Sequence, residues 1–389
     1  MQKTPENNIR IGLIGAGTRI RGLIKHLIRR HPDAAVQFVA ASDPDENSVA
    51  ELENITGAKI RRHANHNELC AQKDNDWVFI SSWNCFNREH AVAALAAGKN
   101  IFLEKPLATT LEDCLAIRAA QKKSGAQVFF GFCLRYAPHF RRVKQIVTSG
   151  DLGDILSFEF NETLYFSHGG YIAGNWRRLT KNAGPHILEK CSHDMDIANW
   201  LLGSRAGRVA SFGGRNFFTP KYKHIQEEIG KSPEGELPYM EWPDPTRVNP
   251  FSGDGDIVDN QVAILEYANG VRATFHTNLN ASLNERRMYI LGTRGTMRAD
   301  AVSGCIEFMP IGYNGLRREE FTGEVLGHNL ADKGLVDELV KAMLEGAFPK
   351  TGIREGPEAA VTCLAINDAM RTGNVVDLAP YWEKVDQSD

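Results

Sequence analysis

The feature that most restricts this 389-residue chain is an apolar run that stops at a glycine turn and resumes as a helix. Arg10 to Ile14 (RIGLI) reads as a short buried strand, and Gly15-Ala16-Gly17 follows at once. From about Thr18 to Arg30, Ile20, Leu23, Ile24, Leu27 and Ile28 recur at helical spacing. The alternation continues with strands Val36–Ser42, Trp77–Ser81, Asn100–Leu103 and Gln127–Gly131, and with helices at about 88–97 and 111–124. Strands separated by helices need crossovers, so the first ~130 residues predict an open parallel sheet wrapped by helices.

The same turn suggests a ligand. A dinucleotide sets its pyrophosphate against helix N-terminal amides, and side chains at that point would block its approach. Here the third glycine position of the G-x-G-x-x-G pattern is Ile20, with a glycine two residues later at Gly22. Asp43 ends the second strand, where a carboxylate can accept both adenosine ribose hydroxyls. That charge repels a 2′-phosphate and favours NAD over NADP, although Arg19 in the turn could offset the repulsion. Further on, Glu104-Lys105-Pro106 closes a strand on the sheet edge where such folds bind ligands. A lysine there can donate to a substrate hydroxyl and stabilise a developing alkoxide.

The later half changes character. Leu156–Tyr165, Arg208–Asn216, Asn260–Tyr267, Val271–Asn278 and Arg287–Leu291 alternate as strands do, with Asn269-Gly270 as a hairpin signal. A mainly antiparallel sheet is expected, with a helix at about 192–202 and two more near the C-terminus. Residues 219–256 are rich in Pro and Gly and read as a long loop or insertion over the sheet, a possible lid. A net charge of −3 offers no field for nucleic acid or an anionic membrane. No apolar stretch of about 18 residues exists, so no membrane span is expected. Seven scattered cysteines without a C-x-x-C pair, and a polar N-terminus, point to a reducing compartment, the cytoplasm.

Longer stretches carry a resemblance. The runs AALAAGKNIFLEKPLATTLED, GFCLRYAPHFRRVKQIVTSGDLGDI, AGPHILEKCSHDMDIANWLLG and ILGTRGTMRAD, with the tail PEAAVTCLAINDAMRTGNVVDL, resemble the Gfo/Idh/MocA family of oxidoreductases over nearly the whole chain. The resemblance implies an α/β protein: a Rossmann domain over 1–133, then an open-faced α/β domain over 134–389 for substrate binding and oligomerisation, with NAD(P) between them. It implies hydride transfer at a hydroxyl of a sugar, sugar derivative or polyol, in a homodimer or homotetramer. Lys105 matches the family's active-site lysine and His193 its catalytic histidine. Glu189 falls where many members carry aspartate, with Lys190 beside it. Cofactor contacts are expected from Gly15, Gly17, Thr18, Arg19, Ile20, Asp43, Ser81, Glu104 and Lys105. Substrate contacts are expected from Tyr136, His168, Tyr171, Trp176, Arg177, Arg178 and Lys190. His328 resembles a position near the pocket.

Read without the family, His186, Glu189, Lys190 and His193 share one face if the segment is a single helix. His-x-x-Glu-x-x-x-His could ligate a metal, but Lys190 in the stripe would repel the ion, so no metal is expected. Acid–base work by His193, oriented by Glu189, is preferred over a plain helix start capped by Ser192 or Asp194. An alternative uses the same parts. A redox-neutral NAD-dependent glycosidase oxidises a sugar transiently, eliminates the leaving group and returns the hydride. Tyr171, Arg177 and Arg178 would suit such a substrate with a sulfonate or carboxylate.

Overall fold

The computed structural model describes residues 8–244, 246–313, 315–320 and 329–388. His328 lies outside them. The chain divides into two compact units.

The first unit holds a six-stranded sheet in the order β3-β2-β1-β4-β5-β6. Its strands are β1 (Ile9–Ile14), β2 (Val36–Ser42), β3 (Arg61–Arg62), β4 (Trp77–Ile80), β5 (Asn100–Leu103) and β6 (Val128–Phe130). Every pairing is parallel. The crossover helices are α1 (Thr18–Arg30), α2 (Glu46–Thr56), α3 (His66–Cys70), α4 (Asn87–Ala96) and α5 (Leu111–Ser124). Strands buried on both faces read as continuous apolar runs, which is why WVFI and NIFL are fully or almost fully enclosed. The two-residue β3 has no apolar run to announce it, and its residues are exposed.

The second unit begins at Pro138 with α6 (Pro138–Thr148) and β7 (Ile155–Tyr165), then α7 (Phe166–Gly174), α8 (Thr180–Ala183), α9 (His186–Glu189) and α10 (Ser192–Leu202). The strands β8 (Ala206–Gly214), β9 (Asn260–Tyr267), β10 (Arg272–Ala281), β11 (Arg287–Gly292), β12 (Gly295–Asp300), β13 (Cys305–Pro310) and β14 (Arg317–Glu320) follow, with α11 (His224–Ile229) inside the long insertion. Helices α12 (Asn329–Glu345) and α13 (Glu355–Thr372), strand β15 (Val376–Asp377) and α14 (Ala379–Gln387) complete the chain. The second sheet has nine strands ordered β14-β13-β12-β11-β7-β10-β9-β8-β15, antiparallel except for β7 beside β10.

Two expectations need correction. The boundary at 133/134 is too simple, because α12 and the chain to Pro357 belong to the first unit. Arg19 of α1 pairs with Asp332 of α12 at 2.5 Å, and Gly334 of α12 packs directly on Tyr136. The segment 219–256 is not a bare loop. Its Tyr239 and Phe251 are buried together with Phe218, Leu164 of β7, Ile172 of α7 and Leu279 of β10, so the insertion shares a core with those elements.

Candidate active site

In the first unit the ends of β1, β2, β4 and β5 lie on one edge, because all four strands run in parallel. Gly15 has φ +83°, and a Cβ there would sit 2.7 Å from the Ser81 carbonyl oxygen. Only glycine tolerates both that backbone and that approach. Asp43 closes the turn: its Oδ2 accepts from the Ala16 amide at 2.6 Å and its Oδ1 from the Asp45 amide at 2.8 Å. Helix α1 opens at Thr18 with no side-chain cap and no acid in its first turn. A Cβ on Gly17 would meet nothing within 4 Å. An uncapped 13-residue helix behind an open glycine turn is a seat for a pyrophosphate, so these residues fit a dinucleotide.

Two residues of this cradle have other work. Ile20 is fully buried and packs in the core, filling the volume that a third glycine would leave. Arg19 is clamped between two acids, donating to Glu104 Oε1 at 2.8 Å and to both oxygens of Asp332 at 2.5 and 2.8 Å. Its charge is committed, so the offset to 2′-phosphate repulsion weighed from the sequence loses its basis. Glu104 is thereby fixed at the end of β5, and its Oε2 accepts from the Lys105 amide at 3.3 Å. Lys105 is half-buried beside it. Tyr136 is a core residue of the first unit: its hydroxyl meets Thr351 Oγ1 at 3.0 Å, and its ring stacks on Phe129. Burial pushes its phenol well above the usual range.

In the second unit His186, Glu189, Lys190 and His193 do not share one helix. The chain breaks at Lys190-Cys191, between α9 and α10, and Cys191 rather than Ser192 or Asp194 takes the N-cap place of α10. All four side chains are buried. His186 faces Thr277 Oγ1 at 3.1 Å, and burial pushes its imidazole down to about 4. Lys190 turns to Glu162, with Nζ 3.3 Å from Oε1. Arg286 adds a second cation, 2.8 Å from the same Glu162 oxygen, and grips both oxygens of Asp194 at 2.9 Å. Against the cost of burial, Arg286 and Lys190 hold Glu162 down to about 2. Burial drives Asp194 up to about 7. Glu162, Cys191 and Asp194 lie close enough together to offer three metal ligands. Arg286 and Lys190 already supply two positive charges there, which a cation would have to oppose.

Glu189 accepts from Arg177 Nε at 2.9 Å. The Arg177 guanidinium lies 4.2 Å from the Trp176 ring centre and 3.3 Å from the Tyr171 hydroxyl. Arg178 goes elsewhere, to Asp254 at 2.8 Å. His168 stands near Tyr171, and burial with Lys190 nearby holds its imidazole well below the usual histidine range, hence neutral. Sequence reasoning missed Glu162, Asp194 and Arg286 as partners of this bend, and Trp242 beside His168 and Tyr171. The three ionic residues lie on separate elements whose pairing no local spacing reports. Trp242 falls in the insertion, where no periodicity marks it.

Two family models match the chain. The oxidoreductase family with an NAD-binding Rossmann fold covers residues 9–132, and the Gfo/Idh/MocA C-terminal domain covers residues 140–298. Among similar proteins, the putative oxidoreductase YteT of Bacillus subtilis (strain 168) is 23% identical over 78% of this chain and 80% of its own. Inositol 2-dehydrogenase 3 of Saccharopolyspora erythraea is 36% identical over 56% of this chain and 61% of its own. Against two other curated relatives the matched region is about half their length, 51% and 55%. A solved levoglucosan dehydrogenase, in complex with NADH and levoglucosan, superposes with TM-score 0.77 at 20% identity, covering 96% of this chain and all of that one. No helix among the described residues is long and apolar enough to cross a membrane. With the parallel sheet and its glycine cradle in one unit and the open sheet in the other, this chain belongs to the Gfo/Idh/MocA family of NAD-binding oxidoreductases.

Proposed function

We propose that this enzyme oxidises a ring or chain hydroxyl of a neutral sugar, sugar derivative or polyol. The observation that carries the reading is the shared edge in the first unit. Gly15, Asp43, Ser81 and Lys105 all follow the C-terminal ends of parallel strands, the side where such sheets bind ligands. When bound, NAD supplies the hydride acceptor, and the protein supplies orientation and proton handling. His193 takes the hydroxyl proton, and Lys105 donates to the same oxygen as negative charge builds on it. Glu189, paired with Arg177, stands four residues before His193 as the acid that orients it.

The redox-neutral glycosidase remains a second reading, but its appeal to an anionic substituent weakens. Arg177 and Arg178 are each already paired with a carboxylate. A neutral substrate asks nothing more of them. The homologues named inositol 2-dehydrogenase and the levoglucosan dehydrogenase fold likeness support a neutral polyhydroxylated substrate. A second copy of the chain is proposed to cover the open sheet, where Phe212 of β8 lies opposite Val262 of β9 and both are exposed.

The test follows NADH absorbance across a panel of sugars and cyclitols. His193→Ala and Lys105→Ala each lower kcat by about 10²-fold or more while NADH affinity stays near normal. Wild-type turnover in either variant overturns the assignments. Glycoside cleavage without NADH accumulation would favour the second reading.

A further inference from the structure

The exposed indole of Trp242 lies in a part of the second unit that no motif accounts for. It is 43% exposed, whereas Trp176 nearby is 8% exposed. Its ring centre is 4.7 Å from His168 and 5.4 Å from Tyr171. Tyr171 in turn touches Arg177, which holds Glu189. One continuous set of contacts therefore runs from Trp242 to the acid beside the His193 bend.

The segment that presents Trp242 is held on both sides. Tyr239 carries φ +69°, a backbone that a tyrosine rarely adopts. Its ring is enclosed by Phe166, Phe217, Phe218 and Phe251. Its carbonyl oxygen presses on α7 so closely that a Cβ on Gly170 would lie 2.2 Å away. Beyond the tryptophan, Asp244 accepts from Asn175 Nδ2 at 3.3 Å. An unfavourable backbone kept in place by packing on both flanks is a costly way to leave one large apolar ring facing water. Positioning for a ligand gives that cost a purpose.

We propose that Trp242 is a specificity-determining residue, a stacking platform for the apolar C–H face of a neutral, ring-form carbohydrate or cyclitol. The proposal rests on the function given above and adds a substrate subclass to it. A pyranose or cyclitol ring presents a flat C–H face that an indole can cover, and an open-chain polyol does not. His168 is held neutral and Arg177 is paired with Glu189, so neither of these two side chains offers an unpaired positive charge to an anion.

The experiment uses the full chain with NAD and three probes: myo-inositol, methyl β-D-glucopyranoside and D-sorbitol. KM and kcat come from NADH absorbance. Trp242→Ala raises KM for the better ring probe about 10-fold, keeps kcat within about twofold, and narrows the preference for ring over open chain. Trp242→Phe restores most of the KM. An unchanged KM in Trp242→Ala, or an equal change for ring and open-chain probes, overturns the proposal. Should the wild type turn over none of the probes, the proposed function suffers, and calorimetry of the ring probes with NADH-loaded protein then decides this inference alone. Weaker binding in Trp242→Ala supports it; equal binding in both proteins, or none in either, overturns it.

Discussion

At the glycine turn of the first unit the polar groups that meet are backbone amides and one carboxylate, whereas at the α9–α10 bend of the second they are buried charged side chains. The first is built from neighbours: Gly15, Gly17 and Asp43 act through amides and a single carboxylate, over fewer than thirty residues. The second is built from distant pairs, with Glu162, Lys190, Asp194 and Arg286 drawn from β7, the bend, α10 and the turn before β11. A backbone cradle tolerates change around it so long as the glycines stay. A buried ionic lattice fails as a set, because each charge depends on the others for its loss of water.

That contrast can be broken in order of effect. Arg286→Met leaves Glu162 and Asp194 buried with only Lys190 to balance them. It should cost about 3–5 kcal/mol in urea unfolding of the second unit. NADH binding by the first unit, read by fluorescence, should barely move; a parallel loss there would mean the two regions are not independent. Asp43→Asn is milder. An asparagine oxygen can still accept from the Ala16 amide, but its amino group cannot accept from the Asp45 amide, so the turn loosens as the negative charge is lost. NAD affinity should fall about 10-fold and discrimination against NADP should narrow, as measured by titration with both cofactors.

The smallest effect concerns pH. His186 titrates near 4 when folded, below the ~6.5 of an unfolded histidine. Its contribution to stability is therefore complete above about 6.5 and is lost as pH falls toward 4. His186→Asn should flatten the fall in Tm across that window, and an unchanged slope would show that other groups set it.

The same contrast explains what could be read from the chain. RIGLIGAG, VQFVAAS and NIFLEKP report strand, turn and edge locally, so the parallel sheet and the place of Lys105 were legible. Helix α10 at Ser192–Leu202 was also legible, from its apolar spacing and Gly203 after it. The expected single stripe from His186 to His193 was not, because the chain breaks at Lys190-Cys191 and the partners of Lys190 and His186, Glu162 and Thr277, lie on other strands. Arg19 looked like a cofactor residue for the same reason: nothing near it in sequence reveals Asp332. Strands β12 to β14 lie in stretches where turn residues and charges interrupt the alternation, and β15 is two residues long. The aromatic core of the insertion depends on residues scattered from Leu164 to Leu279.

The bond between Arg19 and Asp332 spans 313 positions. As the protein emerges from the ribosome, the glycine turn and its sheet are made early, yet the partner of Arg19 arrives only after eight of the nine strands of the second sheet have been synthesised. Until then Arg19 and Glu104 must share water or each other, and the nascent nucleotide-binding half waits, incomplete, for the last quarter of its own chain.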